Sequence, residues 1–159
     1  MKTCKVIFWI MVAMSLFSCG IMDADSTVGV SIIYNNSTEH HILLKDIQTV
    51  KVHQEDVEVL PNKSAVITGC EDWNGEANST ISDEHRYNLF LLSIPYEITI
   101  VWDGEYSITF SKINKDKLLI PESYEYIKSI GSNWWEYGYT FTEEDYEYAK
   151  MYGEKIVAE

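Results

Sequence analysis

The sequence predicts a mainly β fold, a small antiparallel β-sandwich with a short C-terminal helix. From Val28 onward, short apolar segments rich in β-branched and aromatic residues alternate with turn residues, a pattern typical of several strands at regular spacing. The 159 residues are 46% hydrophobic and 13% aromatic, which suits one globular domain with a core. Twelve Lys and Arg against 25 Asp and Glu give a net charge of −13. This excess of acid argues against nucleic acid as a partner.

The N-terminus has the pattern of an export signal. Two lysines precede an apolar run from Val6 to Phe17, which is too short to cross about 30 Å of hydrocarbon. The run ends in Leu16-Phe17-Ser18-Cys19-Gly20, which resembles the lipobox of bacterial lipoproteins. The resemblance implies that residues 1–18 are a signal peptide and that Cys19 is lipidated, which anchors the chain to a membrane. The alternative is an ordinary signal peptide that leaves Cys19 as a free thiol.

Residues 19–27 are predicted to form a polar tether, and residues 28–159 a single β-rich domain. Acids soon after the cysteine resemble the surface-export signal of Bacteroidetes lipoproteins. Asp25-Ser26-Thr27 resembles an O-glycosylation acceptor of that phylum, which implies Ser26 as a candidate modified residue; an unmodified tether is the alternative. Removal of the signal leaves Cys70 as the only cysteine besides Cys19, so we expect no intrachain disulfide and a buried Cys70 thiol.

Nine strands are predicted from the apolar segments and the turn residues between them. They are Val28–Tyr34, His41–Lys45, Val50–His53, Val57–Leu60, Ala65–Gly69, Tyr87–Ser93, Tyr96–Val101, Glu105–Ser111 and Trp135–Phe141. The segment 121–128 fits either a short helix or a loop.

The hairpin around Asp103-Gly104 has two possible registers. A two-residue loop would point the apolar residues of its two strands to opposite faces. A three-residue loop from Trp102 to Gly104 pairs Ile100 with Tyr106 and collects the apolar side chains on one face, with Gly104 as the left-handed residue. We therefore predict the three-residue loop, which leaves Trp102 exposed at the hairpin tip.

The C-terminal helix is predicted from its capping residues. Thr142 supplies an N-cap hydroxyl, and the three acids that follow it lie at the positive end of the helix dipole. The helix is expected over about Glu143–Tyr152, with Gly153 after its end. Tyr146 and Ala149 are expected to face the sheet.

A second resemblance comes from the sequence Tyr-Gly-Tyr-Thr-Phe-Thr-Glu-Glu-Asp-Tyr at positions 137–146. Together with an opening strand that ends in Asn-Asn-Ser and a Trp-Asp-Gly hairpin, it is similar to small lipoproteins of gut Bacteroidetes. The resemblance implies a β-sandwich-like domain in the bacterial envelope. It implies no catalytic residues.

Candidate catalytic and metal-binding groups are few. His40 and His41 are adjacent, so on a strand their side chains point to opposite faces and do not make one metal site. No Gly-x-Ser-x-Gly or comparable nucleophile signature is present. We therefore expect no metal, no cofactor and no enzymatic activity, with a small hydrolase of unrecognised site as an open alternative.

The aromatic residues are the main indication of binding. Eleven Tyr and five Trp suffice for a surface that stacks on sugar rings or peptides. The alternating aromatics from Trp135 to Phe141 share one strand face, which is expected to line the core. Trp134, on the opposite face, and Trp102, at the predicted hairpin tip, are the candidates for ligand stacking.

Together these observations predict a lipid-anchored protein of the outer membrane, either periplasmic or displayed on the cell surface. The expected role is binding or structural, with the membrane as one partner and a glycan or protein ligand as another. A glycan-binding accessory lipoprotein that uses exposed aromatics is the alternative.

Overall fold

The computed structural model of the chain describes residues 27–50, 53–72, 81–111, 117–131 and 133–157. Its strands are β1 Thr27–Asn36, β2 Ile42–Gln48, β3 His53–Gln54, β4 Val57–Val59, β5 Ser64–Asp72, β6 Glu97–Trp102, β7 Tyr106–Ser111, β8 Glu125–Ile130, β9 Trp134–Phe141 and β10 Glu154–Lys155. The helices are α1 Asp83–Ser93 and α2 Glu143–Tyr152, with 3₁₀ turns at Lys117–Leu119 and Pro121–Ser123. Cys19, Ser26 and the side chain of Cys70 lie outside the described residues, and so do the predictions made for them.

The strands form two sheets that enclose one core. The first sheet has the order β5-β1-β9-β8, and the second has the order β10-β7-β6-β2-β3, with β4 also paired to β2. This confirms the predicted mainly β, sandwich-like fold with a short C-terminal helix. The central pair β1–β9 is parallel, which the sequence pattern did not indicate because it reveals a strand and not its partner.

Alternation along β1 and β9 builds the first sheet's share of the core. Val28, Val30, Ile32 and Tyr34 of β1 are buried, as are Trp135, Tyr137, Tyr139 and Phe141 of β9. The Tyr34 ring stacks on Phe141 at a centroid distance of 5.9 Å. The prediction that the aromatic face of β9 lines the core is confirmed.

The predicted strand Tyr87–Ser93 is wrong, because these residues belong to α1. The helix begins after Ser82, whose hydroxyl accepts a hydrogen bond from the backbone N–H of His85 at 3.1 Å. Asp83 and Glu84 occupy its first turn, where negative charge is favourable. These capping signals outweigh the apolar run that suggested a strand. The helix buries the Leu89 and Phe90 side chains of that run in the core.

The β6–β7 hairpin has a three-residue loop, as predicted, but the loop lies one residue further along the chain. Trp102 pairs with Tyr106, Ile100 with Ile108 and Ile98 with Phe110. The loop is Asp103-Gly104-Glu105, with positive φ values of 52° and 70° at its first two residues. The prediction that Trp102 is exposed is wrong, since it ends β6 with 1% of its surface exposed.

Two interactions explain this shift of register. Burial of a whole indole is strongly favourable, and a strand that reaches Trp102 places the ring inside the sandwich. The Asp103 carboxylate then accepts a hydrogen bond from the backbone N–H of His41 at 2.7 Å, which ties the loop to the start of β2.

The C-terminal helix is confirmed. Thr142 is its N-cap, and the carboxylate of Asp145 accepts hydrogen bonds from both the backbone N–H and the hydroxyl of Thr142. Ala149 is buried and Tyr146 packs against the core. Gly153 ends the helix in an extended conformation, and a side chain there would lie 2.4 Å from the Ala149 carbonyl oxygen.

The segment 121–128, for which helix and loop both remained open, contains the second 3₁₀ turn and the start of β8. Neither α-helix in the described part of the chain has the length and hydrophobicity needed to cross a bilayer.

Candidate ligand-binding cavity

A cavity of about 400 Å³ opens where α2 and the first 3₁₀ turn approach the β6–β7 hairpin and β9. Its size falls within the range of small-molecule sites in proteins. The walls are predominantly apolar and aromatic. They are formed by Ile100, Trp102, Phe110, Lys117, Leu118, Tyr139, Phe141, Glu144, Asp145 and Tyr148.

The inner wall of the cavity is rigid and aromatic. Trp102, Tyr139 and Phe141 are all at most 4% exposed. Phe141 makes edge-to-face contacts with both of the others, at centroid distances of 5.8 Å to Trp102 and 5.0 Å to Tyr139. These rings are therefore packed against one another, and the accessible aromatic surface of the cavity lies on Phe110 and Tyr148.

The outer wall consists of two parallel rings near solvent. Phe110 and Tyr148 are inclined by only 19°, with centroids 6.4 Å apart, and Tyr148 is 46% exposed. Tyr152, one turn further along α2, contacts the Tyr148 ring at 4.7 Å. A row of aromatic rings therefore leads from the cavity onto the surface of α2.

Three charged side chains provide the polar part of the lining. The Lys117 ammonium pairs with the Asp145 carboxylate at 3.2 Å and lies 5.9 Å from the centroid of the Tyr139 ring. Tyr139 donates its hydroxyl to the same oxygen of Asp145 at 3.3 Å. The side chain of Glu144 makes no ion pair or hydrogen bond with other described residues.

The protonation of Tyr139 follows from its surroundings. Burial raises the pKa of its hydroxyl above the ordinary value of 10, and the neighbouring Asp145 charge raises it further. Tyr139 therefore remains a neutral hydrogen-bond donor at physiological pH.

Trp102 lies in this cavity wall, whereas Trp134 lies elsewhere. The Trp134 ring is half-buried on the outer face of the first sheet and covers Gly29, whose hypothetical Cβ would lie 2.4 Å from it. Its indole N–H donates to the Ser31 hydroxyl at 2.8 Å. The structure thus does not bring the two predicted stacking residues together.

A separate polar cluster surrounds His40, next to the hairpin. Its Nδ1 lies 2.6 Å from an Asp103 oxygen and its Nε2 3.4 Å from a Glu143 oxygen, while the ring stacks on Tyr146 at 3.5 Å. His41 points instead toward Glu58, at 3.9 Å. The two histidines therefore have different partners, and the described residues contain no cluster of three or more His, Cys, Asp or Glu suited to a metal ion.

Sequence reasoning missed most of the cavity lining. Part of the lining could have been predicted, because Glu144 and Tyr148 are four residues apart on the predicted helix and so share a face. Nothing in the local sequence linked Phe110 or Lys117 to that face, since only the packing of α2 against the hairpin brings them together.

Comparison with protein-family models, with curated proteins and with solved structures finds no match to this chain. The geometry of the cavity therefore carries the functional argument.

Proposed function

We propose that this protein is a binding protein of the bacterial envelope, anchored by lipid at Cys19, whose folded domain holds a small ligand in the aromatic cavity. The observation that carries the proposal is the cavity itself, with five aromatic rings in its wall and three charged groups. This combination, an apolar body with a few polar groups, is the usual composition of small-molecule sites.

The roles of Asp145 and Lys117, two of the three charged groups, favour binding over catalysis. One oxygen of Asp145 accepts a hydrogen bond from Thr142 and so caps α2. The other oxygen accepts hydrogen bonds from the Lys117 ammonium and the Tyr139 hydroxyl. A general acid or base must exchange protons with a substrate, whereas this carboxylate holds the wall of the cavity in place. We therefore propose a binding role without enzymatic activity.

Trp102 makes ligand binding measurable, because its indole forms part of the cavity wall. We would titrate the purified protein with a panel of neutral sugars, amines and amino acids and follow tryptophan fluorescence. A ligand of the cavity should shift the emission of the wild type and of Trp134→Phe, and the shift should be lost in Trp102→Phe. The matched variant Trp134→Phe removes an indole on the outer face of the other sheet.

The same panel tests the proposal against its contrary. If no compound changes either the fluorescence or the thermal midpoint at millimolar concentration, the cavity is a packing defect and the binding proposal is wrong.

A glycan ligand is the second candidate, favoured by the row of the partly buried Phe110 and the exposed Tyr148 and Tyr152. Sugar rings stack on such surfaces, and a chain of them would extend from the cavity along α2. An oligosaccharide such as cellohexaose should then bind more tightly than glucose, and Tyr152→Ala should remove that advantage while leaving glucose binding unchanged. Equal affinity for the two sugars would contradict an extended glycan site.

The location is tested separately from the ligand. Radiolabelled palmitate should enter the wild type and not Cys19→Ala, and protease treatment of intact cells should distinguish surface display from a periplasmic location. Absence of label in the wild type would contradict the lipid anchor.

A further inference from the structure

We propose that the cavity selects ligands that carry a positively charged amino group, such as a primary or quaternary amine on a small apolar body. The inference rests on the proposed binding function and specifies its ligand class. It depends on two features of the lining, the aromatic wall and the balance of charge.

The aromatic wall already stabilises a cation. The Lys117 ammonium lies over the Tyr139 ring and beside the Asp145 carboxylate, within the distance at which a ring quadrupole attracts positive charge. Trp102, the ring type that binds cations best, closes the inner end of the same space but is only 1% exposed. A ligand ammonium in the cavity would find accessible ring surface on Phe110 and Tyr148, the second of which is 46% exposed.

The charge balance leaves one carboxylate of the lining without a partner among the described residues. Lys117 and Asp145 neutralise each other, whereas the side chain of Glu144 has no ion pair with any described residue. The lining therefore has a net negative charge, in a chain whose own net charge is −13. Both the local and the overall field favour a cationic ligand over an anionic one.

A pair of probes that differ only in charge tests this selectivity. Choline and 3,3-dimethylbutan-1-ol have nearly the same shape, with nitrogen in the first replaced by carbon in the second. Titration of the purified wild type, followed by Trp102 fluorescence and calorimetry, should give about tenfold tighter binding of choline, as expected for a cation against aromatic faces.

Two variants assign the selectivity to named groups. Glu144→Gln should weaken choline binding about threefold, the effect of one partly exposed ion pair, and should leave the neutral alcohol unaffected. Glu147→Gln is the matched control, since it removes the same charge from the same helix outside the cavity lining. Lys117→Gln should strengthen choline binding, because it frees the Tyr139 face and the Asp145 carboxylate from the resident ammonium.

The outcomes separate this inference from the proposed function. If the alcohol or a neutral sugar binds at least as tightly as choline, the cavity binds ligands without selecting for positive charge, and only the present inference fails. If Glu144→Gln and Glu147→Gln weaken choline equally, the selectivity belongs to the overall charge and the assignment to the cavity fails. If no probe binds, both proposals fail. Near-ultraviolet circular dichroism of each variant verifies that it is folded.

Discussion

Replacement of Asn36 by Asp should be among the most destabilising single-atom changes in this protein. The Asn36 side chain is 3% exposed. Its amide nitrogen donates to the carbonyl oxygens of His40 at 2.7 Å and Val59 at 3.0 Å. Its oxygen accepts from the backbone N–H and the hydroxyl of Thr38. Asn36 therefore organises the turn that leads into β2.

The cost of Asn36→Asp follows from these contacts. The substitution keeps the acceptor oxygen and replaces the donor by a second oxygen, so that two backbone carbonyls face a carboxylate. An unsatisfied buried polar group costs about 1–3 kcal/mol, and two of them, allowing for partial relaxation, cost about 3 kcal/mol. For a domain of this size that corresponds to a fall in Tm of roughly 10 °C.

The neighbouring residue provides the control. Asn35→Asp is the same chemical change at a half-exposed position, where the side chain bonds to the hydroxyls of Ser64 and Thr140. We expect it to change stability by no more than about 0.5 kcal/mol. Urea unfolding followed by circular dichroism measures both variants. If the two variants agree within about 1 kcal/mol, buried hydrogen bonding at Asn36 does not stabilise the turn and the reasoning is wrong.

The burial of Tyr34, the cap of α2 and the contact of Trp134 with Gly29 each make a measurable contribution to stability. Burial raises the pKa of Tyr34 above its usual 10, so the folded chain keeps a proton that the unfolded chain releases. The resulting contribution to the free energy of unfolding is intact below pH 10. Above pH 10 it is lost by about 1.4 kcal/mol per pH unit. Tyr34→Phe should flatten the alkaline stability profile by that slope, and an unchanged slope would contradict it. Asp145→Ala should cost about 1–2 kcal/mol in urea unfolding and speed amide exchange in the first turn of α2; a loss below about 0.5 kcal/mol would mean that the cap is dispensable. Gly29→Ala should displace the Trp134 ring, at a cost of about 1–3 kcal/mol and with a red shift of its emission, whereas wild-type fluorescence and stability would show that the contact is loose.

The elements that could be predicted from the sequence are those whose causes are local. The C-terminal helix is specified by Thr142 and Asp145, three residues apart, and its bounds were predicted as found. The burial of one face of β9 follows from strict alternation of large aromatics. In both cases the sequence signal lies within one element, a cap in the helix and an alternation along the strand, so the pattern alone predicts the element.

The predictions that failed concern segments whose own composition favours one structure while their contacts with other parts of the chain favour another. The run from Tyr87 to Ser93 suits a strand by composition, yet the capping of α1 by Ser82 and the packing of Phe90 on Tyr137, at 4.0 Å, favour a helix. The set of apolar side chains that share one face of the hairpin was predicted correctly, but the register was not. The observed register is stabilised by the burial of Trp102 in the core, which depends on the packing of the two sheets.

The sequence by itself thus determined a mainly β chain with a capped C-terminal helix, because alternation and capping are properties of neighbouring residues. Only the tertiary structure decided where the cavity lies. Trp102, Lys117, Tyr139 and Tyr148 belong to four different elements. They lie close together because α2 packs against the second sheet and Asp145 accepts a hydrogen bond from Tyr139. That packing is the sum of many weak contacts between residues distant in the chain, and no short segment of the sequence contains it.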